Sequence, residues 1–296
     1  TSKGITLTFY RNGNTSQTDA SGTAVTTDTV TRTCTIRNSA TTCSITAPTM
    51  VAASGFTING YSTGATTYSD YWTHNTAKNV SANADWYAQS TKAAITHTAT
   101  FYKNGASTQT NASGTAVSDN TVTRTCTRAA THNGTAQATT CSITSPTIVA
   151  ATGFSVVGYN TSSSATTSSW SHNTAKSDVS SDLTYYAITK NNTAITITFN
   201  KNGATSQTPS GGTASTDTTV TASCYKYNGA SSCNVTSPAI TRSGFTITGY
   251  NTSDSATTSS WNVSTAKSVS EDATYYAITS KGITLTFYRN GNTSQT

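Results

Sequence analysis

Apolar residues alternate with threonine along short stretches of this chain. Ile5, Leu7 and Phe9 interleave with Thr6, Thr8 and Tyr10, and Ile195, Ile197 and Phe199 with Thr196 and Thr198. A period of two sends successive side chains to opposite faces, which predicts strands with one buried face. Phe56, Ile58 and Gly60 form another alternating segment. The Asn-Gly after Phe9-Tyr10-Arg11 is a turn signal, because both residues tolerate positive φ. Tyr185-Tyr186-Ala187-Ile188 is aromatic on both faces, which predicts a central strand or one covered on both sides. No segment carries apolar residues at i, i+3, i+4 and i+7 for three turns. The expectation is five or six short strands per unit and at most one helical turn.

Those units repeat. Phe9–Gly13 returns as Phe101–Gly105, Phe199–Gly203 and Phe287–Gly291, with offsets of 92, 98 and 88 residues. Spacings this long mark repeated domains rather than solenoid coils. Each complete unit then carries a cysteine (Cys34, Cys126, Cys224), a second cysteine (Cys43, Cys141, Cys233) and a proline (Pro48, Pro146, Pro238). Gly-Phe-x-x-x-Gly-Tyr follows (Gly55–Tyr61, Gly153–Tyr159, Gly244–Tyr250), then a tryptophan (Trp72, Trp170, Trp261) and Thr-Ala-Lys. The predicted organisation is unit 1 at 1–91, unit 2 at 92–190, unit 3 at 191–280 and the start of a fourth at 281–296. Thr1–Thr18 recurs letter for letter as Thr279–Thr296. That duplication predicts a native chain that continues in a higher-order repeat of three units.

The cysteines hold their stations while the segments between them vary: Thr35–Thr42, Thr127–Thr140 and Tyr225–Ser232. This predicts the bridges Cys34–Cys43, Cys126–Cys141 and Cys224–Cys233, each across the neck of a hairpin. Closing a loop of about ten residues stabilises a domain by roughly 2–3 kcal/mol in the chain-entropy account. It also implies an oxidising compartment.

At these landmarks the sequence resembles the Listeria–Bacteroides repeat family, the B-repeats of internalin-type surface proteins. The matching features are Phe9–Gly13, Pro48, Gly55–Tyr61, Trp72 and Val80–Ala88, and Val179–Ala187 fits the closing motif best. The resemblance implies mainly β, small β-grasp-like or sandwich-like domains in tandem, serving as stalks, spacers or adhesins on bacterial surfaces. The cysteine pairs and the Ser/Thr richness depart from that family.

Composition narrows the function. Only 9% of residues are charged, yet 15 Tyr, 7 Phe and 4 Trp argue against disorder. The net charge of +6 comes from 17 basic and 11 acidic residues with no two basic residues adjacent, so nucleic acid is not an expected partner. No apolar run reaches the roughly 20 residues of a membrane span, so no membrane insertion of this segment is expected.

The candidate chemistry is sparse. His74 and His172 match in position, but Val263 stands there in unit 3; His97 and His132 have no counterparts. They read as structural, and no catalytic, metal or cofactor site is expected. Lys78, Lys176 and Lys267 recur near Asn83, Asp182 and Asp272, a pattern that admits a Lys–Asn/Asp isopeptide. The plainer reading is a lysine stem lying over aromatic surface. Flat Trp and Tyr rings admit sugar stacking, although their fixed places read more simply as core.

The reading is therefore a structural, non-enzymatic, extracellular repeat protein, a segment of a cell-surface fibre, filament or stalk. Its expected partner is itself, as continuing chain or as head-to-tail copies. The alternative is an adhesin that binds a cell-surface ligand through the variable hairpin loops or the aromatics.

Overall fold

A computed structural model describes residues 1–288, 290 and 291. Every regular element among them is a strand. The chain divides into two compact units, Thr1–Ala99 with Arg124–Thr144 and Ala175–Leu183, and Thr100–Thr123 with Ser145–Thr174 and Thr184–Thr296.

The first unit opens with nine strands: β1 (Ser2–Tyr10), β2 (Ser16–Thr18), β3 (Ala24–Val25), β4 (Thr29–Arg37), β5 (Cys43–Thr46), β6 (Met50–Val51), β7 (Thr57–Ser62), β8 (Ala77–Val80) and β9 (Ala84–Lys92). That exceeds the five or six expected, because β2, β3 and β6 are two- or three-residue pairings too short to show a period. The main sheet runs β4-β1-β9-β7. β1 pairs antiparallel with β4 over nine positions, from Ser2↔Arg37 to Tyr10↔Thr29. It pairs parallel with β9 from Leu7↔Ala84 to Tyr10↔Tyr87. A parallel neighbour needs a long crossover, and strands β2 to β8 all lie in it.

In the second unit the same order recurs as Thr219–Cys224, Ile195–Asn200, Ala273–Ser280 and Thr246–Asn251, with the middle pair parallel. Tyr275-Tyr276-Ala277 thus lies in a central strand, which explains aromatic residues on both of its faces.

The alternation of β1 is the alternation of burial. Ile5, Leu7 and Phe9 are fully buried. Phe9 meets Tyr61 edge-on with centroids 5.0 Å apart, and Trp72 meets Trp86 at the same distance. Phe199, Tyr250, Trp261 and Tyr275 repeat this cluster. Each edge-to-face pair contributes about 0.5–1.5 kcal/mol beyond area burial.

One glycine per repeat makes the Gly-Phe-x-x-x-Gly-Tyr strand possible. Gly60 (φ 132°) and Gly249 (φ 137°) occupy bulges where the register shifts. A Cβ there would lie 2.6 Å from the Trp72 or Trp261 carbonyl oxygen. The bulge lets the next tyrosine exchange both backbone hydrogen bonds with that tryptophan: Tyr61 N–H donates to Trp72 O at 2.8 Å, and Trp72 N–H to Tyr61 O at 2.7 Å.

The three disulfides are Cys34–Cys43, Cys126–Cys141 and Cys224–Cys233, with Cα separations of 6.0, 5.8 and 6.0 Å. Their setting differs from a hairpin neck. β4 takes β1 as its ladder partner and β5 takes β8, with Cys34 opposite Ile5 and Cys43 opposite Val80. Cys34–Cys43 therefore ties the main sheet to a separate two-stranded sheet, and Cys224–Cys233 does the same in the second unit. Three disulfides fit a secreted protein outside the reducing cytosol. No helix among the described residues is long and apolar enough to cross a membrane.

Residues 281–288 form no strand. Positions 289 and 292–296 of the expected fourth unit lie outside the described residues.

Candidate functional site at the repeat junctions

The Asn-Gly turn after the first strand of each repeat adopts left-handed geometry, with φ of 50° and 79° at Asn12-Gly13 and 45° and 85° at Asn104-Gly105. Glycine has no steric penalty there, and asparagine tolerates it. The asparagine side chain then anchors the turn. Asn12 Nδ2 donates to Ala88 O and Ala65 O, both at 3.0 Å. Asn104 Nδ2 donates to Ala187 O and Ser163 O, both at 2.9 Å. These bonds join the turn to the closing strand and to the Ser/Thr-rich loop.

Against each of these turns lies the tip of the next repeat's hairpin. In the first unit, Asn133 N–H donates to Ser90 O at 3.0 Å and Ser90 N–H donates to Asn133 Oδ1 at 2.9 Å. Asn133 Nδ2 donates to Gln89 Oε1 at 2.7 Å. Thr131 and His132 extend the ladder opposite Lys92 and Thr91. In the second unit, Asn228 N–H donates to Thr189 O at 2.9 Å, and Thr189 N–H donates to Asn228 Oδ1 at 3.1 Å. Asn228 Nδ2 reaches Ser163 O and Ala165 O. The asparagine acts as a surrogate strand residue, satisfying backbone groups at the end of a ladder.

Glycine sets how closely the turns approach. A Cβ on Gly13 would lie 2.0 Å from Asn133 O, and one on Gly105 would lie 2.2 Å from Asn228 O. Aromatic contacts flank each junction: Tyr68 stacks on His132 with centroids 3.7 Å apart, and the Lys190 ammonium lies 3.5 Å from the Tyr225 ring centre.

The sequence candidates fall elsewhere. The Lys78 ammonium lies over Trp86 and Trp72, at 4.7 and 5.6 Å from the ring centres. Lys267 lies over Tyr275 and Trp261 and donates to Tyr275 Oη at 3.3 Å. Lys176 pairs with Asp178 at 3.1 Å, which holds that carboxyl below the usual carboxylate range. Asn83 and Asp272 instead accept from the Thr6 and Thr196 amides at 2.9 and 2.8 Å. They cap the first strand one step before its parallel ladder begins, where that amide would otherwise lack a partner. Asp182 does the same for Thr98.

His97 is buried, with Nδ1 3.9 Å from Asp182 Oδ1; His74 and His172 are partly buried. His132 is a junction residue. No three His, Cys, Asp or Glu residues cluster among the described residues. Trp72, Trp86, Trp170 and Trp261 are buried, leaving no flat indole face in solvent for a sugar.

Reading motifs along the chain missed the thrice-repeated Gln-Thr. Gln17, Gln109 and Gln207 are buried and accept from the Tyr61, Tyr159 and Tyr250 hydroxyls at 3.0, 2.8 and 3.2 Å. Its recurrence eight residues after each Phe of FxxNG was the available signal.

No protein-family model and no curated protein matches the chain. Among solved structures, the Bacillus anthracis TIE protein matches over 94% of this chain and 50% of that one, at 8% identity and a TM-score of 0.21. The chain thus spans half the length of that protein, and a likeness this low carries no argument about function.

Proposed function

We propose that this chain is a structural extracellular repeat protein, a segment of a cell-surface fibre, filament or stalk built from tandem β-domains. The observation that carries the reading is the repeated junction: two hairpin tips, Asn133 and Asn228, meet two Asn-Gly turns through the same pair of reciprocal backbone bonds. A spacer needs each repeat fixed to the one before it. Disulfides that tie sheets together suit a protein exposed to proteases outside the cell.

The junctions also weigh against the adhesin alternative. The tips of two of its three candidate loops, within Thr127–Thr140 and Tyr225–Ser232, are engaged in docking. The likeness to Listeria–Bacteroides repeats agrees with a surface spacer and rests on the short motifs alone.

Immunogold electron microscopy of the producing cells, with antibodies raised against the purified chain, tests the proposal. Gold along surface fibres or stalks is the expected result. Gold confined to the cell interior, or to soluble secreted protein, overturns it.

A further inference from the structure

We propose that Thr279–Tyr288 is a donor strand that enters the first-repeat sheet of a second copy of this chain, replacing that copy's Thr1–Tyr10. The inference rests on the fibre reading above and names how copies would join.

The segment is apolar where a free tail should be polar. Ile283, Leu285, Phe287 and Tyr288 are 82%, 73%, 76% and 85% exposed. Their sequence twins Ile5, Leu7 and Phe9 are fully buried between β4 and β9, and Tyr10 stacks on Tyr87 with centroids 4.6 Å apart. Residue-for-residue identity over Thr1–Thr18 and Thr279–Thr296 means that one groove fits both segments. Thr284 would present its amide to Asn83 as Thr6 does, and Leu285 would face Ala84 as Leu7 does.

Strand exchange alone is neutral, since identical contacts are lost and made. The net gain comes from a junction. In the first repeat Asn38 (φ 56°) donates its amide to Thr1 O at 3.4 Å, the place that Ser90 O holds for Asn133 and Thr189 O for Asn228. The ladder beyond agrees, with Ser2 opposite Arg37 as Thr91 is opposite His132 and Lys190 opposite Tyr227. Thr1 thus stands in for the last strand residue of a preceding repeat, and Thr279 is that residue in the third repeat.

What Thr1 lacks, Thr279 has beside it. The Asn202-Gly203 turn is anchored to Ala277 O and Asp254 O like its two counterparts. Yet a Cβ on Gly203 would meet only the Arg242 guanidinium, at 3.5 Å, rather than a hairpin tip. Docking the Arg37–Ala40 tip of a second copy would therefore add a junction that this copy does not make alone. Ser39 stands where the other tips carry glycine, so the tip would meet Gly203 less closely than Asn133 meets Gly13. The interface is heterologous, so it propagates head to tail rather than closing a dimer.

The test uses the full chain with its disulfides intact. A Thr31→Cys/Thr286→Cys variant probes the register, because Thr8, the twin of Thr286, lies opposite Thr31. After warming, cooling and mild oxidation, the expected result is a ladder of covalent multimers on non-reducing gels. Wild-type protein should form concentration-dependent oligomers in sedimentation velocity, and Leu285→Asp should abolish them without changing the circular dichroism. Since Leu285 is exposed, that variant leaves the monomer fold intact. A wild type that stays monomeric across the concentration range, an intrachain cross-link only, or oligomers that survive Leu285→Asp would each overturn the proposal. Surface-fibre labelling with monomeric, non-ladder-forming protein would overturn strand exchange while leaving the fibre reading standing.

Discussion

The carbonyl oxygen of Asn133 lies 2.0 Å from where a Cβ on Gly13 would sit, so the first Asn-Gly turn and the following hairpin tip can meet only because Gly13 has no side chain. Gly105 and Asn228 stand in the same relation at 2.2 Å. Two demands fall on one residue, since Gly13 also holds φ 79°.

Gly13→Ala therefore meets both steric and conformational penalties. The expected loss is about 1–3 kcal/mol for the strained backbone, read as a lower midpoint in denaturant. The Ser90 amide should lose exchange protection while the amide of Phe9 in the core strand keeps it. Equal loss at both sites would mean that the turn serves the fold rather than the junction.

Gly249→Ala attacks the core instead. The new Cβ would lie 2.6 Å from Trp261 O at a backbone φ of 137°. A destabilisation of about 2–4 kcal/mol is expected from the combined strain and loss of packing. Near-ultraviolet circular dichroism and tryptophan fluorescence would report the disturbed Trp261. A variant with unchanged stability would show that the bulge is dispensable.

Alkaline pH should weaken the fold through two buried phenols. Burial pushes the Tyr61 and Tyr250 hydroxyls well above their ordinary value of 10.0. The unfolded chain releases those protons near pH 10 while the folded chain keeps them, so their contribution is complete below pH 10 and declines as pH rises beyond it. Urea midpoints measured from pH 8 to 11.5 should be level and then fall. Tyr61→Phe should shallow that fall, at an expected loss of about 1 kcal/mol at neutral pH from the hydrogen bond to Gln17.

Removing a bridge separates the sheets it ties. Cys34→Ala with Cys43→Ala should lower stability by about 2.5–3 kcal/mol for the closed loop. It should expose the β5–β8 pair to proteolysis before β1 and β4. Cleavage first in the main sheet would contradict the role assigned to that disulfide.

Much of the strand structure was legible because burial follows a period of two: Ile5-Thr6-Leu7-Thr8-Phe9 announces its own inner face. The central place of Tyr275-Tyr276-Ala277 was legible for the same reason, since a strand with neighbours on both edges can carry aromatic residues on both faces. The parallel pairing of β1 with β9 was not, because it joins residues about 77 apart and leaves no local mark. Nor was the junction. Asn133-Gly134 reads as an ordinary hairpin turn, and only three-dimensional placement shows that its amide serves Ser90. His132 read as a loop histidine because its partner, Tyr68, lies far off in the sequence. The recurring Lys, Asn and Asp suggested a covalent link, whereas the carboxamide and carboxylates cap first strands and the lysines lie over rings or beside Asp178.

Amide hydrogen exchange at Ser90, Asn133, Thr189 and Asn228 in the intact chain tests the central claim most directly. Reciprocal docking at both junctions predicts protection of all four amides comparable to that of the strand interior at Phe9 and Phe199. It also predicts selective loss at Ser90 in Asn133→Ala and at Thr189 in Asn228→Ala. Exchange of these four amides at the rate of exposed loop residues, with the core strands still protected, would contradict it.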